Sequence, residues 1–295
     1  MLEPDRILGT LLGTAVGDAL GMPIDGLSHQ NVRTYYKGIK AYRADEHRRD
    51  LGAGQWTGLT QRTFALAHAL RRSDGSDAAC CVSTPARRRW QESSAPTATA
   101  AASAAPLGVW WAGNGMTKEE AFDTSTTLFA GTSEHPAALA AAFGQASAVR
   151  ALLTHTPDDL DGPAFFRTVT DATRWAEDQL DSGHVVSDRL RLLAGHLDDF
   201  PLDLQDLCAG TGPAADEAWP FAVAMVARNP LLLEATLLPA INVGGAASAI
   251  GALVGSLVGA LHGWAAFPAW AREGLEDVER LEAEARAFAG ALSSR

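Results

Sequence analysis

The chain has 295 residues, of which 47% are hydrophobic and 20% charged, and its formal net charge is −11. This size allows a large buried core, and the acidic balance argues against a nucleic-acid-binding surface. Three cysteines, Cys80, Cys81 and Cys208, lack CxxC or zinc-ligand spacing and favour a reducing, cytoplasmic setting. Glu3 and Asp5 stand where a secretory signal would carry positive charge, so no export is expected.

Helical patterns dominate the chain, and no convincing alternating strand is found. The predicted helices cover residues 5–21, 60–72, 76–91, 117–129, 136–153, 163–180, 187–197, 214–228, 230–239 and 246–265. Clusters of Gly, Pro and Asp at 154–163, 198–203 and 209–216 predict surface turns. The low-complexity stretch 93–106 fits either a flexible loop or a small-residue core segment. No linker is long enough to separate domains, so we expect one all-α domain of orthogonally packed helices over residues 1–295.

The first predicted helix contains the run GTLLGTAVGDALGMPIDG. Gly13, Gly17 and Gly21 recur every four residues, which places a bare stripe on one helix face. Asp18 lies beside that stripe, and Asp25 follows the helix end. Two carboxylates at the end of an apolar helix are typical of the edge of a functional site. Tight helix packing with two capping or surface acids is the competing interpretation, and these residues alone do not separate the two.

A second stretch, GAGQWTGLTQRTFALAHAL at 52–70, predicts a tight approach followed by a helix. Free N–H groups and the helix dipole favour Asp or Glu in a first turn. Here that turn carries Gly58, Leu59, Gln61 and Arg62 instead. The absence of an acid in this place, in an acidic chain, needs an explanation.

The segment 235–271 contains no Asp, Glu, Lys or Arg, and this is longer than the roughly 20 residues that span a membrane. Glycines recur in it every four residues, as in closely packed helices. Pro239 and the pair Gly244–Gly245 interrupt the run, and no cluster of Lys or Arg flanks it. These features favour a central buried helix over a membrane span. His262, inside this helix, is expected to need a partner and to border a cavity.

Together these segments resemble the ADP-ribosylglycohydrolase family. The family begins with G-x-x-x-G-D-A-x-G-x-P-x-E, which residues 13–25 match with Asp25 in place of Glu. Its second signature, G-x-W-T-D-D-T, is matched in outline by GQWTGLT at 54–60. Its last, N-x-G-G-D-T-D-T before a Gly/Ala-rich helix, is matched by the run that starts NVGGAASA at 242–249. The resemblance implies a soluble all-α fold that buries the charge-free helix, with no membrane partner.

The resemblance also bears on metal binding, because the family's enzymes hold two Mg²⁺ or Mn²⁺ ions between the second and last signatures. Four of the ligands in the family's pattern are Asp, and all four carboxylates are missing here. Two divalent ions would have almost no anionic partner, so no metal cofactor is expected. Only Thr57 keeps the ligand residue of the family's pattern, and Ser248 offers one neutral oxygen. By the resemblance, the ligand positions are Thr57, Gly58, Leu59, Ala246, Ser248 and Ala249.

Other polar positions of the family are changed as well. The resemblance places Ala98 at an Asn, Ser103 at an Arg and Ser133 at a His, whereas the framework residues 106–108 survive. We therefore expect a catalytically inactive relative that keeps a pocket for an ADP-ribose-like or other small ligand. On this interpretation the helix at 58 begins without an acid because the ions it would face are no longer held. The candidate pocket residues are Asp18, Asp25, Thr57, Asn242 and Ser248.

Two alternatives remain open from the sequence. A metal-independent hydrolase would use Asp18 and Asp25 as a carboxylate pair, which glycoside hydrolysis requires at a separation of about 5–5.5 Å or about 6.5–9.5 Å. An active metal enzyme would have to recruit Asp45, Glu46 or Asp50 from the nearby loop. The sequence identifies no protein partner and no oligomeric state.

Overall fold

The computed structural model describes residues 2–45, 50–72, 97–129 and 135–293. Within these ranges the chain folds into α-helices without a β-strand, and extended segments meet only in isolated bridges. Short helical segments at Met22–Ile24, His29–Asn31 and Val32–Tyr36 follow the first helix. The helices are α1 (Pro4–Gly21), α2 (Gly58–Arg72), α3 (Thr99–Ser103), α4 (Ala105–Asn114), α5 (Lys118–Phe129), α6 (Pro136–Leu152), α7 (Gly162–Gln179), α8 (Val185–Leu193), α9 (Pro201–Leu207), α10 (Ala215–Arg228), α11 (Leu233–Asn242), α12 (Ala247–His262), α13 (Ala269–Glu273) and α14 (Val278–Ser293).

The all-α prediction is confirmed, and most predicted helices differ from the observed ones only at their ends. The predicted turn at 198–203 is wrong in its second half, because Pro201 occupies the first position of α9, where its missing N–H costs nothing. Helix α11 starts three residues later than predicted and continues through Pro239. The described part of 93–106 is buried core rather than loop. The predicted helix at 76–91 lies outside the described residues.

Helices α1 and α12 form the centre of the fold, packed backbone against backbone. A Cβ added to Gly17 would meet the carbonyl oxygen of Gly251 closer than the 3.0 Å below which real Cβ contacts do not occur, and the converse holds for Gly251. The glycine spacings noted separately in two segments are therefore the two halves of one interface. The facing antiparallel pairs are Gly9 with Gly259, Gly13 with Gly255, and Gly17 with Gly251.

Both central helices are enclosed by the rest of the fold. The segment Pro4–Ile24 is long and apolar enough to cross a membrane by length and composition, and the apolar window within it is completely buried. In α12 the residues from Ile250 to Leu261 are buried too. The guanidinium of Arg6 donates to the carbonyl oxygens of Ala260, Leu152 and Leu153, which closes the C-terminal ends of α6 and α12. This fixed pair sets the position of every element at the candidate site.

Candidate functional site

The beginnings of α2 and α12 meet at the C-terminal end of α1. Asp18 of α1 is hydrogen-bonded to the first turn of α2. One helical turn later, Gly21 lies against the backbone of Ala247, so closely that a Cβ there would collide with it. Helices α2 and α12 are also in direct contact. The structure thus brings together the three segments that the sequence assigned to one site.

Asp18 closes the N-terminus of α2. Its side chain is fully buried, and its Oδ2 accepts from the N–H of Thr57 (2.8 Å), the N–H of Thr60 (3.2 Å) and the hydroxyl of Thr60 (2.7 Å). Its Oδ1 accepts from the hydroxyl of Thr57 (2.8 Å). Burial raises the pKa of Asp18, and the hydrogen bonds from Thr60 and Thr57 act against that rise. Helix α2 therefore has a carboxylate at its beginning, which α1 supplies and its own first turn does not.

Asp25 serves the other helix. It is half-buried just after the short helical segment at Met22–Ile24, and its Oδ1 accepts from the N–H of Ser248 (3.1 Å) in the first turn of α12. The two surviving carboxylates therefore lie in one region, each hydrogen-bonded to a different helix beginning. This agrees with the capping interpretation of both residues.

The six family ligand positions carry few oxygens. The hydroxyl of Thr57 donates to Asp18 and accepts from the N–H of Leu59 (3.3 Å). Leu59 packs its side chain against the core, and Gly58 is exposed. Ser248 is 4% exposed, and its Oγ has no hydrogen-bond partner among the described residues. Ala246 and Ala249 are partly exposed and add no polar side-chain atom.

Asn242 acts as a brace at the end of α11. Its Oδ1 accepts from the N–H of Ile39 (2.6 Å), and its Nδ2 donates to the carbonyls of Ile39 (3.0 Å) and Leu238 (2.8 Å). The carbonyl oxygen of Asn242 lies 2.9 Å from Nδ1 of His29. Every polar atom of this amide thus has a backbone partner, and its contacts hold the loop around residue 39 against α11.

The remaining changed positions of the family's pattern are mostly inside the fold. Ala98 is buried just before α3, and the hydroxyl of Ser103 donates within α3 to the carbonyl of Thr99 (2.9 Å). In the loop before α2, Asp45 is buried and pairs with Leu51 through a backbone bridge. Ser133 and Glu46 lie outside the described residues.

His262 does not border this site, contrary to the expectation from sequence. It lies at the opposite end of the 16-residue helix α12, which places it roughly 20 Å from Ser248. Its Nε2 is 2.8 Å from the carbonyl oxygen of Pro230, and burial lowers the pKa of this imidazole. Its contacts tie the far end of α12 to the segment before α11.

Two residues of this region have roles that the sequence did not predict. Thr60 contributes both its N–H and its hydroxyl to Asp18, a role that its place in the first turn of α2 could have suggested. Arg62 is half-buried on α2, and burial lowers the pKa of its guanidinium to about 10. In the sequence, Arg62 is recognisable as a cation that lies one helical turn after Gly58 and on the same helix face.

Three comparisons place the chain among known proteins. The family model described as ADP-ribosylglycohydrolase matches residues 2–295. An uncharacterized protein of Archaeoglobus fulgidus is 27% identical in an alignment 298 positions long, which covers 94% of each chain. A solved structure described as an ADP-ribosylglycohydrolase-related protein complex shares the fold with a TM-score of 0.69, at 22% identity over 97% of each chain. The chain belongs to the ADP-ribosylglycohydrolase family.

Proposed function

We propose that this chain is a family member that does not hydrolyse ADP-ribosyl bonds by two-metal chemistry. It keeps instead a small-ligand pocket, for an ADP-ribose-like molecule, between the beginnings of α2 and α12. One observation carries the proposal: the six positions that hold metal in the family have two side-chain oxygens here, the hydroxyls of Thr57 and Ser248, and no carboxylate.

The available donors do not fit two divalent ions. Mg²⁺ and Mn²⁺ need several oxygen ligands, with carboxylates balancing much of their charge. Thr57 is already engaged by Asp18 and Leu59, and both oxygens of Asp18 accept hydrogen bonds. No group of three or more His, Cys, Asp or Glu side chains suited to a metal ion is found in the described ranges.

The metal-independent alternative receives less support. A general acid or nucleophile must reach substrate, whereas Asp18 is fully buried and its carboxylate is bound to Thr57 and Thr60. Asp25 is more accessible, but it bonds to the N–H of Ser248 at the other helix. Both carboxylates thus have a structural task that explains their presence without catalysis.

The test is a titration of EDTA-treated protein with Mn²⁺ by calorimetry, together with an assay of hydrolysis on an ADP-ribosylated substrate. We expect no tight Mn²⁺ binding and no metal-dependent turnover. The matched variant restores the four missing carboxylates and should gain Mn²⁺ binding, which shows that the helical frame is still competent. It carries Gly58→Asp, Leu59→Asp, Ala246→Asp and Ser248→Asp.

Two results would overturn or redirect the proposal. Tight binding of two Mn²⁺ ions per unmodified chain, with turnover that EDTA abolishes, would overturn it. Turnover that EDTA leaves unchanged and that Asp25→Asn removes would establish the carboxylate alternative. The second arm therefore separates the two functions in one set of measurements.

A further inference from the structure

We propose that this chain forms a two-fold symmetric dimer with a second copy of itself. The dimer face contains two segments of opposite charge, a basic segment at 26–44 and an acidic segment at 198–206. Both segments contact the turn at 242–246, which leads into α12. The inference goes beyond the proposed function, because it concerns an exterior surface and does not depend on what the candidate pocket binds.

The basic segment is unusual in an acidic chain. Residues 26–44 contain four Lys or Arg and no Asp or Glu, whereas the whole chain has a net charge of −11. All four cations are exposed, and none of them has an ion-pair partner among the described residues. Like charges grouped without acids repel one another, so this segment gains from an anionic neighbour. The four cations are Arg33, Lys37, Lys40 and Arg43.

The backbone of the basic segment is held against the turn before α12. The N–H of Gly26 donates to the carbonyl of Gly245 (2.7 Å), whose own N–H donates to the carbonyl of Leu27 (2.8 Å). Further along the segment, the side chains of Val32 and Ile39 are buried. The exposed cations are thus carried by a backbone that is already fixed, which lowers the entropy cost of binding a partner.

The acidic segment has the opposite charge. Residues 198–206 contain four Asp and no Lys or Arg. Asp199 pairs with His196 (2.8 Å), whereas the other three are exposed and have no ion-pair partner in the described ranges. In α9 the side chain of Leu204 is buried, so this short helix has one face in the core and one in solvent. The three unpaired acids are Asp198, Asp203 and Asp206.

The acidic segment contacts the same turn as the basic one. The side-chain amide of Gln205 in α9 donates to the carbonyl of Val243 (3.5 Å) and to the hydroxyl of Thr211 (2.7 Å). The carbonyl of Thr211 in turn accepts from the N–H of Ala246 (2.6 Å). The turn at 242–246 therefore joins a cationic and an anionic surface.

The presence of both charges determines the kind of partner. A purely acidic protein would fit the basic segment and be repelled by the acidic one, and a purely basic protein would meet the reverse. A second copy, related by a two-fold axis near the turn, presents its acidic segment to the basic one and its basic segment to the acidic one. Such an isologous interface makes every contact twice. The charge pattern therefore fits a second copy of this chain.

Exposed aromatic side chains lie on both segments. Tyr35 is 75% exposed and Phe200 is 74% exposed, which makes them the most exposed of the large hydrophobic side chains that the structure describes. Aromatic residues are enriched in the buried centres of protein interfaces. The segments have 19 and nine residues, comparable to the about 20–30 residues that each partner contributes to a standard interface. The two segments thus offer apolar contacts as well as charges.

Sedimentation equilibrium of the full chain at about 1–300 µM measures the association, at the weak end of the affinities of such interfaces. We expect a monomer–dimer equilibrium and no larger species, because a two-fold interface is closed. The basic-side variant carries Arg33→Glu and Lys40→Glu, and the acidic-side variant carries Asp203→Lys and Asp206→Lys. Each variant alone should dimerise at least about tenfold more weakly, since every reversed contact occurs twice.

An equimolar mixture of the two variants gives the decisive result. The basic-side variant has acids on both segments, and the acidic-side variant has cations on both. Each segment of one variant is therefore opposite in charge to the segment it meets on the other. The mixture should dimerise at least as tightly as the unmodified chain, and a misfolded variant could not produce this recovery.

The matched control carries Arg71→Glu and Arg167→Glu, which replace two exposed arginines on α2 and α7, outside both segments. It changes the net charge as much as the basic-side variant does and should dimerise like the unmodified chain. A chain that remains monomeric at the highest concentration would overturn the proposal. Variants that dimerise as well as the unmodified chain, or a mixture that shows no recovery, would overturn it too.

Discussion

Replacing Asp18 with alanine would test whether this carboxylate is a structural cap. The change removes an acceptor shared by two backbone N–H groups and two hydroxyls at the beginning of α2. The hydroxyls can rotate to other acceptors, whereas the N–H groups of Thr57 and Thr60 cannot. Each buried N–H left without an acceptor costs about 1–3 kcal/mol. We therefore expect Asp18→Ala to lower the free energy of unfolding by about 3–5 kcal/mol.

Two further substitutions provide reference values for this change in the free energy of unfolding. Asp18→Asn keeps one oxygen for the N–H groups and removes the charge beside the helix dipole, so it should cost only about 1–2 kcal/mol. Asp161 is an exposed cap of α7 that accepts a single bond from the N–H of Ala164 (2.8 Å). Asp161→Ala should cost about 1 kcal/mol, the usual value for one cap.

The assay is urea denaturation followed by far-UV circular dichroism, with amide hydrogen exchange at Thr57 and Thr60. Exchange at these two amides should accelerate in Asp18→Ala and change much less in Asp161→Ala. If Asp18→Ala cost no more than Asp161→Ala, the carboxylate would not be the cap of α2. The assignment would fail equally if exchange at Thr57 and Thr60 stayed unchanged.

Three other predictions follow from the fold. Gly17→Ala should destabilise the fold by about 1–3 kcal/mol or more, because the new methyl group separates α1 from α12. Gly290→Ala, at an exposed helical site where a Cβ meets nothing within 4 Å, should instead stabilise it by about 0.5–1 kcal/mol. Urea midpoints measure both changes, and equal effects would contradict the close packing of α1 on α12. Burial raises the pKa of Glu177 above its usual 4.5, so the folded state favours its protonated form and loses stability as pH rises through that raised pKa. The stability of Glu177→Gln relative to the unmodified chain should therefore increase above pH 4.5, and a flat difference would refute the shift. Burial raises the pKa of Cys208 to about 12, so mass spectrometry after iodoacetamide treatment at pH 8 should find this thiol alkylated only in denatured protein.

The sequence predicted the helices better than their contacts. Four-residue glycine spacing specifies a bare helix face, and this was read correctly in α1 and in α12. It does not specify which face meets which, because the pairing of Gly17 with Gly251 depends on all the helices that enclose them. Helix α9 was missed for a local reason: Pro201 marks a turn and a first helical position equally well.

The segments of the candidate site were named from their signatures, whereas the hydrogen bonds among their side chains were not predicted. The missing acids of α2 were visible in the sequence, but a cap supplied from 39 to 42 residues away is a tertiary contact that helix-start rules do not cover. Asn242 shows the same limit, since a polar residue in a signature can equally face a ligand or brace a loop. Its partners at Ile39 become visible only in three dimensions.

The tight seam between α1 and α12 has a consequence for biosynthesis. About 230 residues separate Gly17 from Gly251, so at about 5–20 residues per second the ribosome finishes α12 roughly 10–50 s after α1. During this interval the nascent chain carries an apolar helix whose main packing partner has not been translated. Nascent α1 is therefore a natural substrate for chaperones, and a message truncated before residue 247 yields a product that lacks the partner of its glycine face.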